Sequence, residues 1–324
     1  MIENSALNQR IESKLKILGA EVLHKVEYPR TDKKLLDYVI KKDGVTTFIK
    51  VTHNINTSSS VFKELKRFTN FLNMNALIVA DKINEENVID GVLHIKDRVG
   101  IVQVKTILNV AKGEKVYIYE FKGAFYVKID GRKLRELRER KGYGLSELAK
   151  RVGASMKAMH MYEEGLIDMT VEKAYRFIEI FDKEFEEALK EVDIFRDRIQ
   201  DSSVHRRSLY NKEDEVKQKL AKIFSDQGAD AEIFNYLPSD LIVSKKGKRL
   251  FVSLIDNKVD SELAIIKAKE NKMFSKSLEG VPVNIVNDNT SRDMLREIEN
   301  YGITLRYGQI AKRDIEIDLE SEID

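Results

Sequence analysis

The sequence predicts a multidomain protein, α/β plus all-α, in which two related α-β-β-β-α-β modules flank a helical segment. Three observations carry this expectation. The chain has 324 residues, more than one ordinary domain of about 100–200 residues holds. One order of elements occurs twice, with matching residues at an offset of 203 positions. Between the copies lies a stretch with helical apolar spacing, and two copies around a different middle give expected domains at 1–115, 128–192 and 208–316.

Composition bounds the rest. With 42% hydrophobic and 34% charged residues, the chain can bury real cores under a heavily charged surface. Lys and Arg number 56 against 54 Asp and Glu, a net charge of +2, so there is no overall acidic or basic bias. The absence of cysteine removes disulfides, thiolate zinc sites and a cysteine nucleophile together. The first ten residues lack the apolar core of a signal peptide. Apolar runs such as Ala76–Ala80 fall far short of the ~20 residues that cross a bilayer. A soluble, cytoplasmic protein without membrane partners is expected.

The first module opens with a helix over Ser5–Leu18, its face drawn by Leu7, Ile11, Leu15 and Leu18 and stopped by Gly19. A strand follows over Glu21–Glu27. The runs Leu36–Lys41 and Thr46–Thr52 form a hairpin, because Asp43-Gly44 between them is a strong turn pair. A helix over Ser60–Asn73 carries Phe62, Leu65, Phe68 and Leu72, and Ala76–Ala80 reads as a buried strand. The second copy repeats this: a helix over Glu213–Ser225, strands at Ala231–Tyr236, Asp240–Ser244 and Leu250–Asp256, a helix over Glu262–Lys276, and a strand at Val283–Asn287. At the offset of 203, Asp37 meets Asp240, Gly44 meets Gly247, Phe48 meets Phe251 and Asn54 meets Asn257.

A β pair, Val116–Phe121 and Ala124–Lys128, turned at Lys122-Gly123, leads into the middle segment. From Val127 to Val192 this segment reads as helical throughout, and Leu145–Glu164 is its clearest motif. Two short helices that cross steeply need a small residue where they approach, and Ala149 supplies it. Their tight turn favours positive φ, and Gly153 sits there. Leu148 and Val152 face inward on the first helix; Ala154 opens the second, Met159 and Tyr162 line its buried side, and Ser155 is a good N-cap. Arg132–Lys141 before it turns Leu134 and Leu137 inward. After it, Thr170 caps a helix with Ala174, Phe177, Ile178 and Phe181 inward. A plain bundle explains the apolar spacing, but not Ala, Gly and Ser at these offsets.

Through Leu134–Gly142, Glu147-Leu-Ala149 and Tyr162-Glu-Glu-Gly165, residues 131–181 resemble the Cro/C1 (lambda-repressor-like) helix-turn-helix domain. The whole layout is similar to archaeal HTH-type transcriptional regulators that carry this domain mid-chain. The resemblance implies that the second motif helix enters the major groove of double-stranded DNA. Ser155, Met156, Lys157, His160 and Met161 would face outward, with Leu145, Lys150 and Arg151 beside them. Lys157 would reach a guanine edge or a phosphate, His160 a base, and Met156 a thymine methyl. Two positions depart from the family: Leu145 stands where Gln is common, and Gly144 where a Ser or Thr cap is usual. Weaker phosphate contact and a weaker cap follow. A homodimer presenting two such helices is the expected assembly.

Charge is segregated along this segment. From Lys128 to His160, ten bases oppose four acids, a net +6; from Met161 to Phe195, four bases oppose eleven acids, a net −7. A basic front before an acidic rear suits a polyanion, although paired charges on solvated faces explain the individual residues.

The α-β-β-β-α-β order also resembles the restriction-endonuclease-like PD-(D/E)xK fold. Such enzymes hold Mg²⁺ between an Asp and a later acid, two residues before a Lys. Asp37 fits the first position and Lys50 the last, but Phe48 replaces the acid. The second copy keeps Asp240 and has Phe251 and Ser253 where acid and Lys belong. A migrated acid such as Glu64 would be needed. The expectation is therefore a DNA-binding transcriptional regulator without enzyme activity, metal or cofactor. A metal-dependent nuclease using Asp37 and Lys50, or a protein-interaction module, is the alternative. The five histidines (24, 53, 94, 160 and 205) have no ligand spacing. Asp197–Arg207 reads as a linker and Asp314–Asp324 as an acidic tail.

Overall fold

A computed structural model of the chain describes residues 2–29, 33–198, 215–255 and 261–310. The first elements are α1 (Ile2–Ile17), β1 (Glu21–Lys25), β2 (Tyr38–Lys42), β3 (Val45–Ile55), α2 (Ser60–Leu72) and β4 (Asn75–Ile83). Their order is the expected one. Asp43 and Gly44 take φ of 48° and 79°, the paired positive φ of a two-residue hairpin turn. Ser59 caps α2 by accepting from the Phe62 amide, and Asn73 closes it in the left-handed region. Strand β3 outruns the expected Thr46–Thr52 because its end stays paired with β4, through Asn54–Lys82 and Ile55–Ile83.

Four elements follow that the sequence pattern did not reveal: β5 (Glu86–Asn87), β6 (Val92–Lys96), β7 (Val99–Gln103) and α3 (Val104–Val110). Strands β6 and β7 are buried on both faces over four of their five residues. They therefore lack the alternation that marks a half-buried strand.

Next come β8 (Ile118–Phe121), β9 (Ala124–Ile129), α4 (Gly131–Arg140), α5 (Leu145–Arg151), α6 (Met156–Glu163), β10 (Met169–Thr170), α7 (Val171–Phe181), a 3₁₀ helix (Asp182–Ala188) and β11 (Leu189–Lys190). The segment is thus not helical throughout. Its short strands β10 and β11 both pair with β9. The last elements are α8 (Glu215–Asp226), β12 (Asp230–Ile233), β13 (Leu241–Lys245), β14 (Lys248–Ile255), α9 (Ser261–Ser277), β15 (Val281–Val286), α10 (Arg292–Glu299), β16 (Ile303–Arg306) and α11 (Tyr307–Ile310). Among the described residues, no helix is long and apolar enough to cross a membrane.

The chain forms two compact units. The first comprises Met1–Glu21, Lys42–Thr57 and Met74–Asp201. Its strands run in the order β3-β4-β7-β6-β8-β9-β10, with β3/β4, β4/β7 and β6/β8 parallel. Helices α4 to α7 share one core with β9, in which Val127 and Ile129 join Leu134, Leu148, Met159 and Phe177. Arg198 ties the end of this unit to its sheet. Its guanidinium donates to the carbonyls of Arg98, Ala76 and Ile194, and burial pushes its pKa down to about 10. A side chain at Gly100 would collide with it, since a Cβ there lies 2.7 Å from the guanidinium carbon. The expected linker therefore begins as an anchored segment, while its residues 199–207, His205 and the acidic tail lie outside the described residues.

The second unit comprises Val22–Lys41, Ser58–Asn73 and Ser202–Asp324. Its sheet has the order β12-β13-β14-β15-β16, with β14, β15 and β16 parallel. Lys246 and Gly247 (φ 50° and 82°) repeat the turn of Asp43 and Gly44. Helix α8 covers one face through Leu220, Ala221 and Phe224, and α9 packs on β14 and β15.

The repeat is reciprocal in this unit. Glu64 and Phe68 stand nine and five residues before Asn73 (φ 56°); Glu270 and Phe274 stand nine and five before Glu279 (φ 56°). The two phenyl rings stack 6.1 Å apart. Glu64 accepts from the amides of Asn235 and Tyr236, just past β12. Glu270 accepts from the Glu27 amide, just past β1, and meets His24 Nε2 at 3.3 Å. Each helix thus caps the loop after the other copy's first strand.

Candidate nucleic-acid interface

Helices α4 to α6 are placed by small residues and caps. Asp130 caps α4, accepting from the amides of Arg132 and Lys133. Gly131 allows α4 to start against the end of α6, where a Cβ would lie 2.4 Å from the Glu163 carbonyl oxygen. Gly144 caps α5 without a side-chain bond, as its residue type requires. Gly153 turns the chain at φ 64°, and Ser155 caps α6 through the Ala158 amide at 3.0 Å. Leu148, Ala149, Val152, Met159 and Tyr162 are all buried in the shared core. Ala154 lies partly buried just ahead of the cap, so Ser155 and not Ala154 marks the start of α6. Ile178 points outward, 42% exposed, because the buried stripe of α7 runs through Ala174, Phe177 and Phe181, with Val171 and Ile180 packed beside it.

A buried carboxylate locks α6 to α4. Glu163, 4% exposed, accepts from Arg138 Nε at 2.6 Å and from Arg135 Nε at 3.2 Å. Arg138 also holds the Tyr143 carbonyl, and Arg135 reaches Glu164. Lys173 donates to the carbonyls of Val152 and Gly153 at the end of α5. The arginine bonds tie the end of α6 to α4, and the lysine bonds tie the end of α5 to α7. None of them was legible from apolar spacing.

They also revise the reading of the charge. Lys128, Arg135, Arg138, Arg140, Lys141 and Arg151 are paired with Asp197, Glu163 and Glu164, Glu184 and Glu187, and Glu147. Much of the basic front therefore holds the helices together. Arg132, Lys133, Lys150 and Lys157 are exposed and have no ion pair among the described residues. Ser155, Met156, Lys157 and His160 are exposed on α6, and Met161 is half-buried. Leu145 packs partly buried against the core, so it supports the helix and is a poor phosphate contact. Arg151 is drawn toward the Tyr143 ring, 5.0 Å away.

The nuclease-like positions have a different character. Asp37 is a buried residue just ahead of β2, paired with Lys34 at 3.0 Å. Phe48 is fully buried and Lys50 half-buried on β3. Glu64 cannot replace the missing acid, because both its oxygens are turned to Asn235 and Tyr236. Burial raises its pKa from the ordinary glutamate value, against the pull of these bonds and of Arg67. In the second copy Asp240 is gripped by two ammonium groups, Lys217 at 2.9 Å and Lys267 at 2.5 Å. Cations occupy the side of the carboxylate that a divalent metal would need. Among the described residues no three His, Cys, Asp or Glu side chains are grouped to hold a metal. The donor set does not fit the Mg²⁺ site of that fold.

Comparison with known proteins gives two findings. A family model for the PD-(D/E)XK superfamily domain matches residues 4–116, the stretch from α1 through α3. A protein of Pyrococcus horikoshii named "Putative HTH-type transcriptional regulatory protein" is 31% identical over 224 residues, 68% of this chain and 69% of the relative. Similarly named proteins of Sulfolobus acidocaldarius (28% identical, covering 89% of this chain and 92% of the relative) and Methanocaldococcus jannaschii (27%, 73% and 70%) also match. No solved structure matches.

Proposed function

Because the chain belongs to the family of HTH-type transcriptional regulatory proteins represented in Pyrococcus horikoshii, we propose that it binds double-stranded DNA sequence-specifically, through a Cro/C1-type helix-turn-helix formed by α5 and α6. In this reading 128–192 is the DNA-binding domain, and 1–115 and 208–316 are catalytically silent modules of the nuclease-like fold. Helix α6 enters the major groove. Ser155, Met156, Lys157 and His160 meet base edges, Met161 stands at the margin, and Arg132, Lys133 and Lys150 contact phosphates. Arg151 and Leu145 steady α5 beneath them. A homodimer places two copies of α6 at half-sites about 34 Å apart.

The carrying observation is that α6 is held at its end by buried Glu163 while its exposed face bears Lys157, which has no ion pair among the described residues. Selection of bound duplexes from a random pool, followed by fluorescence anisotropy on the selected sequence, tests it. Lys157→Ala should weaken specific binding and lower the salt slope by about one phosphate contact, roughly 0.9, whereas exposed Lys276→Ala should do neither. Equal affinity of the Lys157 variant and the wild type would refute the assignment.

The match to a PD-(D/E)XK domain supports a second reading, a metal-dependent nuclease using Asp37 and Lys50. The missing acid at Phe48 and the turned-away Glu64 weigh against it.

A further inference from the structure

The second unit contains a cavity of about 470 Å³ that the DNA-binding reading does not use. It lies at the carboxyl ends of the parallel strands β14 and β15, where Leu254, Ile255, Ile285 and Val286 form apolar walls. This is where open α/β sheets hold ligands. The volume suits a small organic molecule.

The polar side of the cavity is a built charge cluster. Asp240 is buried and accepts from Lys217, Lys267 and the Leu254 amide. The ammonium groups hold its pKa below the ordinary value against the upward push of burial. Lys217 also donates to the Phe234 carbonyl and to Asn235. Lys267 spends two of its three N–H groups, on Asp240 and the Leu254 carbonyl, and so keeps one donor. Its ammonium lies 5.8 Å from the Tyr28 ring. The Tyr28 hydroxyl has no hydrogen-bond partner among the described residues. Burial, and the nearby Asp240 charge, raise its pKa, so it remains a donor.

We propose that this cavity binds a small organic carboxylate, its two oxygens taken by Lys267 and the Tyr28 hydroxyl and its hydrocarbon body laid against Leu254, Ile255, Ile285 and Val286. Two ammonium groups exclude a metal ion or a cationic ligand. A phosphate dianion is disfavoured, because Asp240 stands beside the two available donors. The apolar walls require more than a bare anion. The site is thus a nuclease-like pocket in which lysines stand where the chemistry of that fold needs a metal, and it is suited to an effector. It does not depend on the helix-turn-helix assignment.

Isothermal titration of the full-length chain with benzoate and hexanoate, against benzamide and inorganic phosphate, tests the proposal. Benzoate or hexanoate should bind in the millimolar range, and benzamide and phosphate at least about tenfold more weakly. Tyr28→Phe, which removes one donor and leaves the Asp240 cluster whole, should weaken carboxylate binding about tenfold or more. Leu263→Trp, at an exposed wall position, should block it without lowering the melting temperature of the free protein. The proposal is overturned if neither carboxylate binds, if benzamide or phosphate binds as well, or if both variants bind like the wild type.

Discussion

Glu163 in the first unit and Asp240 in the second are the same device put to two uses. Each is a buried carboxylate held by two cations, Arg135 and Arg138 in one case and Lys217 and Lys267 in the other. In the arginine pair Arg138 is 12% exposed but Arg135 42%, and their planar forks bridge two helices. The lysine pair is buried, 11% and 13% exposed, and faces a cavity. In one place the pairing orients a helix whose outer face stays open for a partner. In the other it occupies the ground that a catalytic metal would need. A buried ion pair therefore says little about function until its open side is known.

Substitution separates the two roles. Asp240→Ala should produce the largest effect, about 3–5 kcal/mol in urea denaturation, because it leaves two buried ammonium groups without their shared counter-charge. The folded-state pKa of Asp240 is depressed. Its contribution is thus complete above the unfolded value, about 3.9, and fades as pH falls through the folded value. The variant should accordingly lose less stability on acidification below about pH 4 than the wild type.

Glu163→Ala should cost less, about 2 kcal/mol, since Arg135 can turn to solvent and Arg138 keeps the Tyr143 carbonyl and Glu139. Unlike Asp240→Ala, it should also weaken DNA binding in the folded protein, because α6 loses its tether to α4. Gly131→Ala should cost about 1–3 kcal/mol, because the new Cβ meets backbone at 2.4 Å; thermal melts would show it. Lys157→Ala should change stability by less than about 0.5 kcal/mol and act on DNA affinity alone. Circular dichroism melts paired with anisotropy would separate these effects.

Local chemistry carried much of the architecture. Asp43-Gly44 and Lys246-Gly247 turn as their residue types require, and Gly153 and Ser155 shape the start of α6. Strands β6 and β7 escaped because burial on both faces erases alternation, and their turn uses Asp97 (φ 59°) without a following glycine. Ile178 was misplaced because a helical stripe read by period alone is wider than the one actually covered. The candidate site was harder to read. Its helix and outward residues follow from motif spacing, but the partners of Arg135 and Arg138 lie 25 to 29 residues away. Lys217 and Lys267 meet Asp240 across 23 and 27 residues. No periodicity encodes such pairings; they arise only when the elements pack.

DNA recognition without DNA cleavage has two halves, and one experiment addresses both. The full-length chain is incubated with its selected duplex and with a four-way junction in Mg²⁺ or Mn²⁺, and bound and cleaved fractions are measured together. Salt-sensitive binding of the duplex is expected, with intact strands in either metal. Cleavage that disappears in Asp37→Ala would contradict this expectation.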